Sequence, residues 1–406
     1  MWNNISIWIG NKYQRIINSI AFFPALIGFI FLLISYFCIR FDFSETGRAL
    51  KSQLSWLSLK DATTARSIIS AIAAGVISLT VFSFSMVMII LSQTASQMSN
   101  RILDKLIGNR FQQIVLGFYL GTIVFALFLL TTVRDIDSGL YIPALSTYLL
   151  ILITIVDIFL FIYFLHYVTQ SVKSEVIIQR IYEDTKARMK KVCTLKTDPG
   201  HIILETGENQ IRASRAGIYE GFNVNSLLKI CTENNCRIQV VILPGIFVFH
   251  ETVVAECSIS VEDKIMKQIS NTFYINNSET IEQNYSYGFR QLMEVGIKAL
   301  SPGINDPGTA VQALRALSKL IAFRINNLPN NAITDKRKEI RIITAERTVE
   351  DLVRLTLLPI WDYGKEDRMI QNEFIHLLKH LKQMSEIGIL QNLYGEASDA
   401  LKENQL

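Results

Sequence analysis

Four long stretches of this chain are almost free of charge, and polar positions crowd into the segments between them. "IAFFPALIGFIFLLISYFCI" covers 20–39 without a charged residue, enough helix to cross roughly 30 Å of hydrocarbon at about 1.5 Å per residue. It lacks a small-residue cleavage site, so it reads as a retained first span. Further apolar runs cover about 68–91, 111–133 and 142–168. Residues 1–170 are therefore expected to form a four-span transmembrane domain, the membrane α-helical part of the fold.

Beyond Gln170 the pattern changes. "QSVKSEVIIQRIYEDTKARMKK" keeps Val172, Val176, Ile177 and Ile181 on one helical stripe, which predicts a helical connector over 171–194 continuing the fourth span. "HIILET", "AGIYEG", "CRIQVVIL" and "FVFHETVVAEC" are short strand-type runs broken by turn residues. With one short helix in "NVNSLLKICTENN", they predict a small mixed β domain over 195–260. The region 261–406 reads as helical, with stretches near 261–270, 285–300, 308–325, 345–358 and 366–386 and a further helix at the C-terminus. "NNLPNNAITDKRKEI" is expected to be a mobile loop between two of them. The whole soluble part is thus a C-terminal α+β domain.

Charge refines this picture. Up to Gln170 there are 11 Lys and Arg against 7 Asp and Glu, whereas the rest is balanced at 29 each. A balanced soluble half gives no electrostatic reason to expect nucleic acid. Positive residues concentrate in the N-terminus (Lys12, Arg15), in the loop with Arg101, Lys105 and Arg110, and between Lys173 and Lys191. By the positive-inside rule both termini are expected in the cytoplasm. None of the five cysteines (Cys38, Cys193, Cys231, Cys236, Cys257) forms a C-x-x-C, and reduced buried thiols are expected.

Two polar features lie inside the apolar runs. Asp157 sits in the middle of the fourth, where an ionised carboxylate costs roughly 2.5–3.5 kcal/mol. It must face protein or water, either as a proton or ion site or as an interior hydrogen-bonding group. Ser78, Ser85, Ser92 and Ser99 recur every seven residues after Ala71, one small polar stripe on a helix. Such a stripe is a helix-packing seam or, in an oligomer, a pore-lining face. His166 is expected at the membrane interface, and "SQTASQMSNRILDKLIGNRF" reads as an interfacial helix or a cytoplasmic extension, with basic side chains toward headgroups.

In "KALSPGINDPGTA" (298–310), Ser301-Pro302-Gly303 is expected to end one helix, with Gly303 left-handed. Asn305 or Asp306 would cap the next helix, with Pro307 in its first position. Arg290 stands near the start of the first helix. The group is read as a structural corner at a subunit or membrane-facing contact, or as an anion site.

"YGFRQLMEVGIKALSPGINDPGTA" closely resembles the ALSPGINDP signature of a family of predicted bacterial membrane proteins catalogued as domain of unknown function 2254. "SNRILDKLIGNRFQQIVLGFYLGTIVFALFLL" resembles its third-span region, and "VVILPGIFVFHETVVAE" is similar to its P-G-x-F-V turn. The likeness runs over roughly 15–325. The departures are Gly308, where the family usually has a larger residue, and Leu165-His166-Tyr167, where it tends to have paired histidines. The resemblance implies the topology and an inner-membrane location and carries no mechanism.

No phosphate-loop, dinucleotide, zincin or nucleophile-elbow motif is present. His376 and His380 stand four apart, but no third ligand is evident to complete a metal site. No enzyme activity, metal or cofactor is expected. The pattern fits an oligomeric channel or transport-type protein with a cytoplasmic regulatory domain, whose partners are the lipid bilayer and further copies of itself. The alternative is a membrane-anchored sensor or scaffold whose soluble domain binds a ligand or protein.

Overall fold

The computed structural model describes residues 21–53, 61–97, 110–133, 142–197 and 209–403. The chain divides into two compact units that part between Lys173 and Ser174.

The first unit is built from helices α1 (Phe22–Asp42), α2 (Glu45–Gln53), α3 (Ala62–Gln97), α4 (Arg110–Thr132) and α5 (Ala144–Ser171). All but the short polar α2 are long and apolar enough to cross a membrane, matching the four expected spans with small shifts at their ends. Residues 98–109 of the expected interfacial segment, with Ser99, Arg101 and Lys105, lie outside the described residues, and its two ends belong to α3 and α4. Helix α4 is the most enclosed of the four. It packs on α1 through Gly117 and Gly121, a small-x-x-x-small pair that lets two membrane helices approach closely. A Cβ at Gly121 would lie 2.6 Å from the Phe31 ring, and one at Gly117 would lie 2.6 Å from Ile27 Cδ1. The core around this seam gathers Phe31, Ile69, Phe125, Leu129 and Leu150.

Asp42 ties the end of α1 to the start of α5. Its fully buried carboxylate accepts from the Ser146 amide at 2.7 Å and from the Leu145 amide at 3.4 Å. Lys51 Nζ pairs with it at 2.8 Å. Pro143, the residue at the N-cap of α5, makes no side-chain cap of its own, so Asp42 supplies the cap from another helix. Asp42→Ala should lower the stability of this unit by more than about 1 kcal/mol, the usual worth of a cap, because it also breaks the buried pair with Lys51, with Asp42→Asn losing less. Thermal unfolding in detergent measures both.

The second unit begins with α6 (Ser174–Val192). The fourth span does not run on into it, as its sequence leads one to expect. Helix α5 stops at Ser171, where the amides of Val172 and Lys173 both turn back to the Gln170 carbonyl.

Next come β1 (Asn209–Arg212), β2 (Gly217–Phe222), α7 (Val224–Glu233), β3 (Ile238–Val240), β4 (Phe247–Val248), β5 (Val253–Cys257), α8 (Asp263–Ser270) and β6 (Phe273–Asn276). Helices α9 (Tyr285–Leu300) and α10 (Pro307–Asn326) follow, then β7 (Ala332–Thr334), β8 (Ile340–Ile343), α11 (Val349–Gly364), α12 (Arg368–Met384) and α13 (Gly388–Glu403).

Two sheets form, one of five strands in the order β1-β5-β3-β8-β7 and one of three in the order β4-β2-β6. The β domain is therefore not confined to 195–260. The stretch expected to be a mobile loop is the β7–β8 hairpin, and β8 joins β3 in parallel. Its charged residues are a built turn. Asp335 accepts from the amides of Arg337 and Glu339 and from Arg341 Nε at 2.8 Å, and Lys338 takes φ +64°. Residues 201–206, another expected strand, lie outside the described residues. Ile211, Leu227, Ile238, Val254 and Ile342 fill the core beneath the larger sheet. Cys193, Cys231, Cys236 and Cys257 are buried and free, and Cys38 is half-buried and free.

Candidate functional site

On α5 the positions Leu150, Asp157, Phe164 and Ser171 are all buried. They repeat every seven residues, nearly two turns, and so share one face. Asp157 occupies this seam at the middle of the helix, fully enclosed, and neither carboxylate oxygen has a hydrogen-bond partner among the described residues. Helix α4 brings Thr122 beside it and Tyr119 within its electrostatic reach, and α3 brings Ser83 to Tyr119. These three side chains are also fully buried. The Thr122 hydroxyl donates to the Phe118 carbonyl at 3.0 Å, whereas Tyr119 OH and Ser83 Oγ complete no hydrogen bond among the described residues. Val76, Val115 and Phe164 pack around Tyr119.

The result is an enclosed polar cluster within apolar walls, with one carboxylate and three hydroxyls from three helices. Hydroxyls both donate and accept, and a carboxylate accepts only. The group is suited to holding a proton or a small monovalent cation and poorly suited to an organic ligand.

Ser78, Ser85 and Ser92 do not join this cluster. All three are exposed on the first unit, and Ser78 Oγ donates back to the Ala74 carbonyl at 3.0 Å. The buried seam of α3 runs through Ile69, Val76 and Ser83. The stripe is two positions out of phase with it, about 200° around the helix, and faces outward. A single conduit within one protomer cannot be lined by the stripe and tuned by Asp157. His166 is also exposed.

The corner at 301–307 satisfies itself. Asp306 accepts from the Thr309 amide at 3.0 Å and from its hydroxyl at 2.6 Å, with Pro307 opening α10. The Ser301 hydroxyl donates to Lys298 O, and the Asp306 amide donates to Ala299 O. Asn305 at φ +49° is the left-handed residue, not Gly303; an asparagine tolerates that conformation better than other side chains do. Pro302, Gly303, Asn305 and Asp306 are exposed.

Arg290 is not part of this corner. It stands eleven residues earlier on α9, about 16 Å away along the axis, and its Nη1 pairs with Glu279 Oε2 at 2.5 Å. Its Nη2 reaches the Gly245 carbonyl at 3.4 Å. His376 and His380 are exposed with ring centroids 5.0 Å apart, and among the described residues no three His, Cys, Asp or Glu side chains gather as a metal site would need.

The second unit also holds a cavity of about 480 Å³, lined by the C-terminal part of α6, by β2, by the start of α9 and by Thr344–Arg347. Glu346 lies deep in its wall, where burial pushes its carboxyl up from 4.5 to about 6, against the lowering effects of Arg324, Tyr285, Thr344 and Arg188. A carboxyl raised in the folded state contributes stability that is fully present below its unfolded value. That contribution is lost as pH rises through its folded value. Between pH 4.5 and pH 7 this unit should therefore lose about 2 kcal/mol, from about 1.5 pKa units at ~1.36 kcal/mol each. Glu346→Gln should not show the loss. Burial pushes the neighbouring Cys193 thiol up to about 11 and the Tyr285 phenol well above its usual range, so neither titrates in that window. Amide hydrogen exchange on the full chain across this pH range, corrected for intrinsic rates, checks it.

Sequence reasoning found Asp157 but missed Ser83, Tyr119 and Thr122. The usable signal was the seven-residue repeat Leu150-Asp157-Phe164 on α5, which places the carboxylate on a packing face.

A family model described as "Predicted membrane protein (DUF2254)" matches residues 17–380. Uncharacterized proteins of Mycobacterium bovis and of Mycobacterium tuberculosis are each similar at 21% identity over 344 residues, covering 79% of this chain and 64% of the relative. The chain thus spans somewhat under two thirds of the length of these curated relatives. No solved structure matches.

Proposed function

This chain belongs to the DUF2254 family of predicted membrane proteins, and from that premise we propose that it is an oligomeric, multi-pass transport-type protein in which Asp157 of each protomer holds an exchangeable proton or small cation. The observation that carries this reading is the enclosed mid-span carboxylate, with neither oxygen hydrogen-bonded and with Tyr119, Thr122 and Ser83 around it. An uncompensated acid at that depth costs several kcal/mol, a cost that a transported charge makes useful. The outward stripe of Ser78, Ser85 and Ser92 serves the contact between protomers, where small residues let helices approach. In this reading the bilayer is a bacterial inner membrane, both termini and the second unit are cytoplasmic, and the second unit regulates the first without enzymatic chemistry.

The test is flux in proteoliposomes, with a pH-sensitive dye inside and Na⁺, K⁺ or choline outside. Wild type should carry a flux that Asp157→Asn removes, whereas Ser85→Leu should weaken the oligomer on size exclusion. Equal flux through wild type and Asp157→Asn would overturn the assignment.

The second reading is a membrane-anchored sensor. The cavity of the second unit favours it, because such a concavity walled by charged and aromatic groups has the size of a small-molecule site.

A further inference from the structure

The cavity of the second unit has a charge pattern that the fold itself leaves open. Arg188 and Lys191 stand three apart on α6 and therefore on one face, and both line the cavity. The Arg188 guanidinium makes no hydrogen bond among the described residues; its counter-charge is Glu346. Arg347 also lines the cavity and, among the described residues, donates to the Pro244 carbonyl alone, at 3.2 Å, with Arg290 as a further positive neighbour.

The acids in the wall are already engaged. Glu220 accepts from Asn276 Nδ2 at 2.6 Å and from Thr280 N at 2.7 Å. Glu346 accepts from Tyr285 OH at 3.5 Å and has Arg324 beside it. Donors of Arg188 and Arg347 therefore remain open toward the cavity, and the basic side chains in its lining outnumber the two acids. Tyr219, only 1% exposed, lines the same space, and its hydroxyl makes no hydrogen bond among the described residues. The half-buried ring of Phe222 forms part of the wall next to it.

We propose that this cavity binds a small phosphorylated ligand bearing a planar ring, of the nucleoside monophosphate class, with the phosphate held by Arg188, Lys191 and Arg347 and the ring laid along Phe222 and Tyr219. Guanidinium forks match phosphate geometry and form charge-assisted bonds about twice as strong as neutral ones. Aromatic walls favour a planar partner, and the volume lies in the ordinary range for small-molecule sites. A cavity built for a cation would not place Arg188, Lys191 and Arg347 in its lining while Glu220 is held by Asn276 and Thr280. This assignment stands whether or not Asp157 carries charge across the bilayer.

The experiment is isothermal titration of the full chain in detergent with AMP, with adenosine, with inorganic phosphate and with phosphatidylglycerol vesicles. AMP is expected to bind saturably, with adenosine and inorganic phosphate each at least about tenfold weaker. Arg188→Gln and Lys191→Gln should each weaken AMP by about tenfold or more while leaving the melting temperature of the unliganded protein within a few degrees. Glu346→Gln, which removes a negative charge and keeps an acceptor for Tyr285, should tighten AMP.

No saturable heat with AMP in a preparation that melts cooperatively would overturn the proposal, as would AMP affinity indifferent to both basic substitutions. Inorganic phosphate binding as tightly as AMP would overturn the ring half of the site. Vesicles that compete AMP away through Arg188 would reassign it to a lipid headgroup.

Discussion

Arg290→Met should cost the second unit about 3–5 kcal/mol, the usual penalty for breaking a buried ion pair from one side. Glu279 has 1% of its side chain exposed and Arg290 has 19%. Methionine keeps the apolar stem and removes the charge, leaving a buried carboxylate without its arginine. Asn284 Nδ2 still donates to Glu279 Oε1 at 3.2 Å, but a neutral donor does not replace a guanidinium. The loss also reaches the Pro244–Gly245 turn. Gly245 takes φ +88°, and a Cβ there would lie 2.7 Å from Glu279 Oε1, so the turn, the acid and the arginine hold one another. The double substitution Glu279→Gln with Arg290→Met removes both charges and should recover most of the stability, since a buried pair contributes little net once neither ion remains. Hydrogen exchange on the amides of β2, β4 and β6 in the full chain reads the effect. A cost below about 1 kcal/mol would mean that the pair behaves as a surface salt bridge.

How far the sequence carries this architecture depends on whether a signal was local. Four apolar runs give four spans because length and lack of charge suffice. The helix pair at 285–326 was legible through its cap, since Asp306-Pro307 is a local start signal, and the structure uses it as such. The β7–β8 hairpin was hidden because Asp335, Lys336, Arg337 and Lys338 look like a solvated loop. What makes them a turn is the buried Arg341, which pairs with Asp335 and with Asn235, more than a hundred residues away.

Periodicity put the serines of α3 on one face but could not say which way that face points. That is set by which other positions pack, and Ile69, Val76 and Ser83 pack instead. Arg290 was drawn toward the wrong neighbours because its sequence context ends at the 301–307 corner. Its actual partners come from Glu279 upstream and from the distant turn at Gly245. The spans were local, whereas the polar cluster and the arginine cavity are assembled from several elements and leave only partial marks on any one of them.

Asp157→Leu should raise the stability of the first unit by about 1–3 kcal/mol while removing the flux proposed to depend on this carboxylate. Leucine has the branched shape of aspartate with a larger methyl in place of each oxygen, and the seam it enters already holds Leu150 and Phe164, so some of the gain is offset by tighter packing. Wild type keeps an enclosed carboxylate with no hydrogen bond among the described residues, which costs roughly 2.5–3.5 kcal/mol at the middle of a membrane span. The substitution removes that cost and leaves Tyr119 OH and Ser83 Oγ no worse bonded than before. Asp157→Asn should gain less, because an amide at that depth still needs partners.

Residues that lower stability without a structural return mark functional positions, and activity is commonly what their replacement loses. The wild-type melt should also depend on the coupled species, rising with acid if the site takes a proton or with Na⁺ or K⁺ against choline if it takes a metal cation. The leucine variant should be indifferent to all of them. A leucine variant several kcal/mol less stable than wild type under every condition would instead make Asp157 a structural hydrogen-bonding group, and the exchange of charge at this site would be abandoned.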